Sequence, residues 1–256
     1  MGKGKKSEKI QINPTLPEFS KDKNSGEWTV SFSIECGNNL SYEIKYRFPE
    51  GPILESSDFL IPVCLIPAMK NQKILKIPGK VSKQLIQNVS IIQDIFRWWY
   101  SDYSIVKIET EEESQNQPQP SKRVACFFSL GVDSSYTLLK HLDEIGTLIF
   151  ILGYDKKLTE ETRLELSNTV KGIASSLRKN LIIVETNLRN FSNLYTDWGA
   201  EYYGAFLASV ALLLSPQFKK IYIASAHTYK DLSAWGSHPI LDQYWSNGLV
   251  QIAHDG

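Results

Sequence analysis

From residue 122 to residue 226 the chain alternates short apolar runs with amphipathic segments, and that alternation constrains the fold more than any other feature. "RVACFFS", "TLIFILGYD", "LIIVETN" and "KIYIASA" are continuous apolar stretches, as expected of strands buried on both faces. Between them lie "DSSYTLLKHLDEI", "LTEETRLELSNTVKGIASSLRKN" and "GAEYYGAFLASVALLLS", which have helical character; the last is closed by Pro216. Thr159 is the expected N-cap of the middle segment, with Glu160 and Glu161 in its first turn, where negative charge suits the helix dipole. Strand alternating with helix predicts an α/β fold: a parallel sheet with helices on both faces. In such sheets ligands bind beyond the carboxyl ends of the strands, here "SLGVDSS", "LGYD", "TNLRN" and "SAHTYKD".

The first part of the chain follows a different pattern. In "EWTVSFSIECGNNLSYEIKYRF" apolar residues alternate with polar ones on both sides of a Gly-Asn turn, which predicts a hairpin. "DFLIPVCLIPAM" and "KILKI" read as shorter strands. "VSKQLIQNVSIIQDIFRWWY" has the helical stripe Leu85, Val89, Ile92 and Phe96, with Ser82 as its N-cap, and "YSIVKIET" reads as strand again. The boundaries expected are a small α+β domain over 1–110 with a solvated basic tail at 1–9, a linker at 111–121 where "EEESQNQPQPSK" has no apolar residue, and an α/β domain over 122–256.

Composition narrows the function classes. The 28 Lys and Arg balance 28 Asp and Glu, so no global attraction to nucleic acid or anionic lipid is expected. No apolar run is long enough to cross a membrane, and no apolar segment follows the basic N-terminus to make it a secretory signal. The three cysteines, Cys36, Cys64 and Cys126, are far apart and odd in number, which argues against a disulfide framework or a Cys-based zinc site and for a cytoplasmic protein with reduced thiols.

The turn "FSLGVDSS" follows the first buried strand. Gly131 is expected to permit an unusual backbone and close approach of a ligand. The orphan N–H groups of the turn and of the first helical turn carry partial positive charge, and Ser129, Ser134 and Ser135 add hydroxyls. Together they suit a phosphate. Asp133 fits beside a phosphate as a helix cap or through a Mg²⁺ ion. The alternative is a plainly capped helix, and the sequence contains no GxxxxGK[ST], GxGxxG or GxSxG motif.

"FFSLGVDSSYTLL" resembles the S-G-G-x-D-S signature of the PP-loop ATP pyrophosphatases (adenine nucleotide alpha hydrolase-like, of HUP-like fold), over residues 122–256, and among these is most similar to the 7-cyano-7-deazaguanine (queuosine-precursor) synthases. The resemblance implies an enzyme that cleaves ATP to AMP and pyrophosphate and adenylates a carboxylate or carbonyl for amide- or nitrile-type bond formation. Ser129, Gly131, Asp133, Ser134 and Ser135 would hold pyrophosphate or its Mg²⁺, and Tyr154 and Asp155 would meet adenine or ribose. Leu130 stands where the family usually has its first Gly, so its side chain must point away from the phosphates. The four-Cys zinc site usual in those synthases is not supported here. "QIAHDG" reads as stopping in mid-loop, so either the chain is cut short or this relative lacks the site.

A second constellation lies in "SAHTYKDLSAWGSHPILDQYWS". The expectations there are proton transfer by His227, charge neutralisation by Lys230, and substrate contacts by Trp235, His238 and Asp242, with Arg189 contributing from the third strand end. Packing of the loop is the competing role for each. A zinc site from His227, His238 and His254 matches no tetrahedral spacing pattern. The acceptor is read as a small heterocycle or carboxylate, with a macromolecular substrate as the alternative, including a tRNA- or protein-modifying role such as bacterial defence. A further alternative is a catalytically weakened nucleotide-binding module that regulates a partner. The sequence sets no oligomeric state.

Overall fold

The computed structural model describes residues 12–36, 40–49, 51–72, 74–114, 121–153 and 159–256. The tail at 1–9 and the residues Tyr154 and Asp155 lie outside them. In chain order the elements are β1 (Ile12–Pro14), β2 (Glu18–Lys21), β3 (Trp28–Cys36), β4 (Leu40–Phe48), α1 (Leu60–Lys70), β5 (Leu75–Ser82), α2 (Lys83–Trp99), β6 (Ile108–Ser114), β7 (Val124–Phe127), α3 (Val132–Lys140), β8 (Thr147–Leu152), α4 (Glu160–Ser176), β9 (Asn180–Thr186), α5 (Leu188–Ser192), α6 (Tyr203–Leu213), β10 (Lys220–Ala224) and β11 (Gln251–Asp255).

The four apolar runs are parallel strands. They lie in the order β9-β8-β7-β10, with β11 added parallel to β10. Successive side chains of β7 go to different cores: Val124 and Cys126 pack beneath α3 and α4 with Leu138, Val170 and Ala174, while Ala125 and Phe127 join the larger core that includes α6. Burial on both faces explains why the sequence runs apolar without a break. The strand order reverses between β7 and β10, so the ends of these two strands diverge and leave a crevice.

The hairpin β3–β4 forms as its alternation predicts, with Trp28 opposite Phe48 and Cys36 opposite Leu40. It also extends the same sheet. β4 pairs antiparallel with β9 through Tyr46–Thr186 and Arg47–Glu185, and the Asn187 side chain accepts from the Lys45 amide and donates to the Glu43 carbonyl, both at 2.9 Å. The sheet is therefore mixed, with nine strands among the described residues, and the larger core draws residues from both parts of the chain.

Three local expectations are corrected. "DFLIPVCLIPAM" is helix α1, with every residue from Leu60 to Met69 buried. A helix buried all round has no polar stripe, so its sequence cannot be told from a buried strand by periodicity. Pro62 sits in the first turn, where its missing N–H costs nothing. Residues 111–114, expected in a linker, continue β6, a polar strand parallel to β5 supported by ion pairs such as Lys80–Glu112 at 3.2 Å; residues 115–120 lie outside the described ones. "QIAHD" is strand β11, not mid-loop. The N-cap expectations divide. The Thr159 hydroxyl accepts from the Thr162 amide at 3.2 Å. Ser82 holds the N-cap position of α2, but its hydroxyl makes no capping bond. Its amide donates instead to buried Asp58 at 2.6 Å. Cys36, Cys64 and Cys126 are all free and buried. No helix among the described residues is long and apolar enough to cross a membrane.

Candidate functional site

β7 ends at Phe127 and α3 begins at Val132, so Phe128, Ser129, Leu130 and Gly131 make the turn. The unusual backbone falls on Leu130, at φ 65°, and not on Gly131, at φ −83°. That corrects the expectation for Gly131. The left-handed region costs a β-carbon-bearing residue about 1–2 kcal/mol. The Leu130 side chain offsets part of this by packing, half-buried, against the core beneath α3 and α4. It therefore points into the protein and leaves the outer side of the turn clear.

Ser134 organises the turn. Its hydroxyl accepts from the Ser129 amide at 3.2 Å, donates to the Gly131 carbonyl at 3.0 Å and lies 3.1 Å from the Ser129 hydroxyl. The Ser129 hydroxyl in turn accepts from the Gly131 amide at 3.3 Å. The Ser135 hydroxyl and amide both donate to the Gly131 carbonyl, at 2.9 and 3.1 Å. The amides of Val132, Asp133 and Ser134 precede this first helical bond and have no partner among the described residues. Asp133 is exposed in the same first turn and does not cap the helix through its side chain. Three consecutive amides without partners, at the positive end of a helix dipole, suit an anion with several oxygens.

The turn opens onto a cavity of about 620 Å³ above the carboxyl ends of β7, β8 and β10. Ser129, Asp133 and Ser134 line one part of it, Phe150, Leu152 and Leu166 an apolar part, and Arg189 and Trp235 a third. A volume of several hundred Å³, largely apolar with a few convergent polar groups, is typical of a small-molecule site. Gly153, at φ 84°, ends β8 in the cavity wall; a β-carbon there would stand 2.1 Å from the Thr186 carbonyl oxygen, so the close approach of the β8 and β9 ends excludes any side chain.

The sequence did not point to Trp198, Gly199 and Tyr203. They belong to a π-type turn at Trp198–Tyr202 and the first residue of α6, and they line the cavity beside Arg189, whose guanidinium carbon lies 4.7 Å over the Trp198 ring. The π-turn is anchored from the first part of the chain: Lys70 of α1 donates to both oxygens of buried Glu201, at 2.9 and 2.8 Å. The signal was present in "YTDWGAEYYG", a glycine between aromatics just before a helix, where an irregular turn is favoured.

The rest of the second constellation is rearranged. His227 is exposed and meets Trp235 edge-on, its ring centroid 5.8 Å away, and Lys230 sits exposed in the short turn at Tyr229–Asp231; neither lines the cavity. His238 and Asp242 are buried and hold the loop together, in place of the substrate contacts expected of them. Asp242 accepts from the Ser237 hydroxyl at 2.7 Å and the His238 amide at 3.3 Å, and its carboxylate lies 2.8 Å from His254 Nδ1. His238 packs on Trp99, and burial pushes its pKa below the ordinary imidazole range. Among the described residues no group of three His, Cys, Asp or Glu is placed to hold a metal. Asp133 is thus a single carboxylate, enough for Mg²⁺ only where phosphate oxygens and water complete the shell. Comparison with known proteins gave no match to any family model, curated protein or solved structure.

Proposed function

We propose that this chain binds ATP as a PP-loop pyrophosphatase does and adenylates a carboxylate or carbonyl acceptor, in the manner of the 7-cyano-7-deazaguanine synthases. The observation that carries the reading is the turn at 129–135, where the unpartnered amides of Val132, Asp133 and Ser134 lie beside a cavity large enough for a nucleotide. The strand order β9-β8-β7-β10, with the turn after the central strand at the switch point, fits a HUP-like unit.

In this reaction an acceptor oxygen bonds to the α-phosphorus as the bond from that phosphorus to the α–β bridging oxygen breaks, and pyrophosphate departs. The amides of Val132, Asp133 and Ser134 neutralise the charge gathering on the leaving group, and the hydroxyls of Ser129 and Ser134 hold the turn that presents them. Asp133, exposed in the same first helical turn, would hold a Mg²⁺ brought by the nucleotide. Arg189 supplies positive charge at the acceptor end. Calorimetric titration with ATP and Mg²⁺, followed by a pyrophosphate-release assay over a panel of carboxylic acids, tests the reading. Absence of ATP binding at millimolar concentration by the full chain would sink it.

One observation favours a second reading, a nucleotide-binding module with weakened catalysis. The two side chains expected to move protons and neutralise charge, His227 and Lys230, do not line the cavity, which leaves Arg189 as the cationic side chain among its described lining residues. Tight ATP binding without pyrophosphate release for any acceptor distinguishes this case.

A further inference from the structure

The amino ends of the parallel strands form the edge of the sheet opposite the cavity, and cations gather there. Asn180 of β9 starts beside Thr147 of β8, and Val124 of β7 beside Lys220 of β10. Just before these strands stand Arg178 and Lys179, Lys122 and Arg123, and Lys219, whose amide donates to the Arg123 carbonyl at 2.9 Å. From β9 through β8 and β7 to β10 the row spans roughly 14 Å at the ordinary spacing of paired strands. Lys220 is neutralised by Glu144 at 3.0 Å, and Lys179 lies half-buried against the Leu142 carbonyl. Lys122, Arg123, Arg178 and Lys219 are exposed and have no acidic partner among the described residues, against one exposed carboxylate, Asp143, in the α3–β8 connection. The Arg123 guanidinium is held over the Phe218 ring at 5.1 Å and reaches the Thr147 hydroxyl at 3.4 Å, contacts that fix it without taking its charge. Arg178 keeps a left-handed backbone, φ 54°, directly after the C-cap of α4, a position where glycine is the unstrained choice.

We propose that this edge binds the phosphate backbone of a nucleic-acid duplex, whatever its sequence or sugar. The chemistry around the cations selects that partner. A protein interface has an apolar centre inside a polar rim, and a single strand is held by exposed aromatic platforms. None of the large apolar side chains exposed on the described residues falls within 121–124, 142–147, 177–181 or 217–221, so this edge has neither. Cations alone are what a duplex backbone needs, because its phosphates fix position and carry no sequence. About 14 Å of duplex axis carries roughly four phosphates of one strand, which matches Lys122, Arg123, Arg178 and Lys219. The balance of 28 cations against 28 anions over the whole chain keeps the attraction local to this row. The cavity, at the opposite edge, stays open while a duplex is bound.

The test is fluorescence anisotropy of the full chain with labelled DNA and RNA duplexes of about 20 base pairs, titrated over a range of salt concentrations. Both duplexes are expected to bind with a Kd of about 1–10 µM at about 50 mM salt, within about threefold of one another, and to weaken with a log–log salt slope of about −3.6, four contacts at about 0.9 each. Lys219→Gln alone should lower that slope by about 1. Lys122→Gln, Arg178→Gln and Lys219→Gln together should weaken binding at least tenfold and bring the slope to about −1, with Arg123 left in place because it packs on Phe218. Lys76→Gln with Lys107→Gln, which removes cations from the β5–β6 side of the molecule, should change neither affinity nor slope. A polyglutamate peptide should bind at least tenfold more weakly than either duplex. No binding of the duplexes below about 100 µM, a preference of more than threefold for one sugar, polyglutamate binding as tight as a duplex, or a triple variant that binds like the wild type overturns the proposal.

Discussion

Leu130 carries the left-handed backbone of the cradle turn, at φ 65°, while Gly131 beside it sits at an ordinary φ of −83°. The residue that looks out of place in the sequence is thus the one performing the conformational work, and its side chain is used as an anchor to the neighbouring core.

Replacing Leu130 with Gly therefore has opposing effects. It removes about 1–2 kcal/mol of backbone strain. It also loses the packing of a half-buried leucine and adds conformational freedom to the unfolded chain, together of similar size. The expected net change in unfolding free energy is a destabilisation of about 1 kcal/mol or less, measured by urea denaturation. A loss of several kcal/mol would mean that the side chain, not the backbone, holds the turn.

Ser134→Ala should be costlier. Its buried hydroxyl serves the Ser129 amide, the Ser129 hydroxyl and the Gly131 carbonyl together, and removing it leaves them without a shared partner. A destabilisation of about 1–3 kcal/mol is expected, with a fall in affinity for inorganic pyrophosphate. Unchanged stability would show that water replaces the hydroxyl without cost.

Lys70→Ala should strip buried Glu201 of its charge partner and loosen the π-turn in the cavity wall. The Lys70 side chain keeps 28% of its exposure, so the cost is set below that of a fully buried pair, at about 2 kcal/mol. Adding Glu201→Gln to Lys70→Ala should recover much of the loss in a double-mutant cycle read by chemical denaturation. Additive losses would argue against coupling.

Asp255 gives the acid limb of stability. Burial raises its pKa, but donors outweigh burial: His141 at 2.8 Å, Lys140 at 2.9 Å and Thr137 at 2.9 Å, leaving the carboxyl below its usual range. A carboxylate whose folded pKa is depressed contributes stability that is complete above its unfolded pKa and is lost as pH falls through the folded one. The contribution of Asp255 should therefore be present above about pH 4 and fade below it. Asp255→Asn should be less stable at neutral pH and show a shallower decline between about pH 4 and 2. Parallel pH profiles for variant and wild type would contradict the assignment.

Local pattern made the parallel strands, the hairpin, the Thr159 cap and the 129–135 turn readable in the sequence, because each depends on residues close together in the chain. Helix α1 was not readable, because an element buried on every side loses its period. The roles of His238 and Asp242 were not readable either: polar residues in an aromatic loop read as ligand contacts until their partners are known, and those partners, Trp99 and His254, come from α2 and β11. Arg189 and Trp235 line the cavity, whereas Gly199 matters through a backbone contact with Trp235 that no spacing rule encodes.

The clasp between β4 and β9 has a consequence for the nascent chain. Lys45 and its acceptor Asn187 are 142 residues apart, so at about 5–20 residues per second the ribosome needs roughly 7 to 28 seconds to deliver the mate of a finished hairpin. Throughout that interval the outer edge of β4 is a bare strand, open to any other chain in reach. Glu43, Lys45 and Arg47 alternate along β4, and a strand carrying both charge signs at every second position is a poor template for unwanted pairing while it waits.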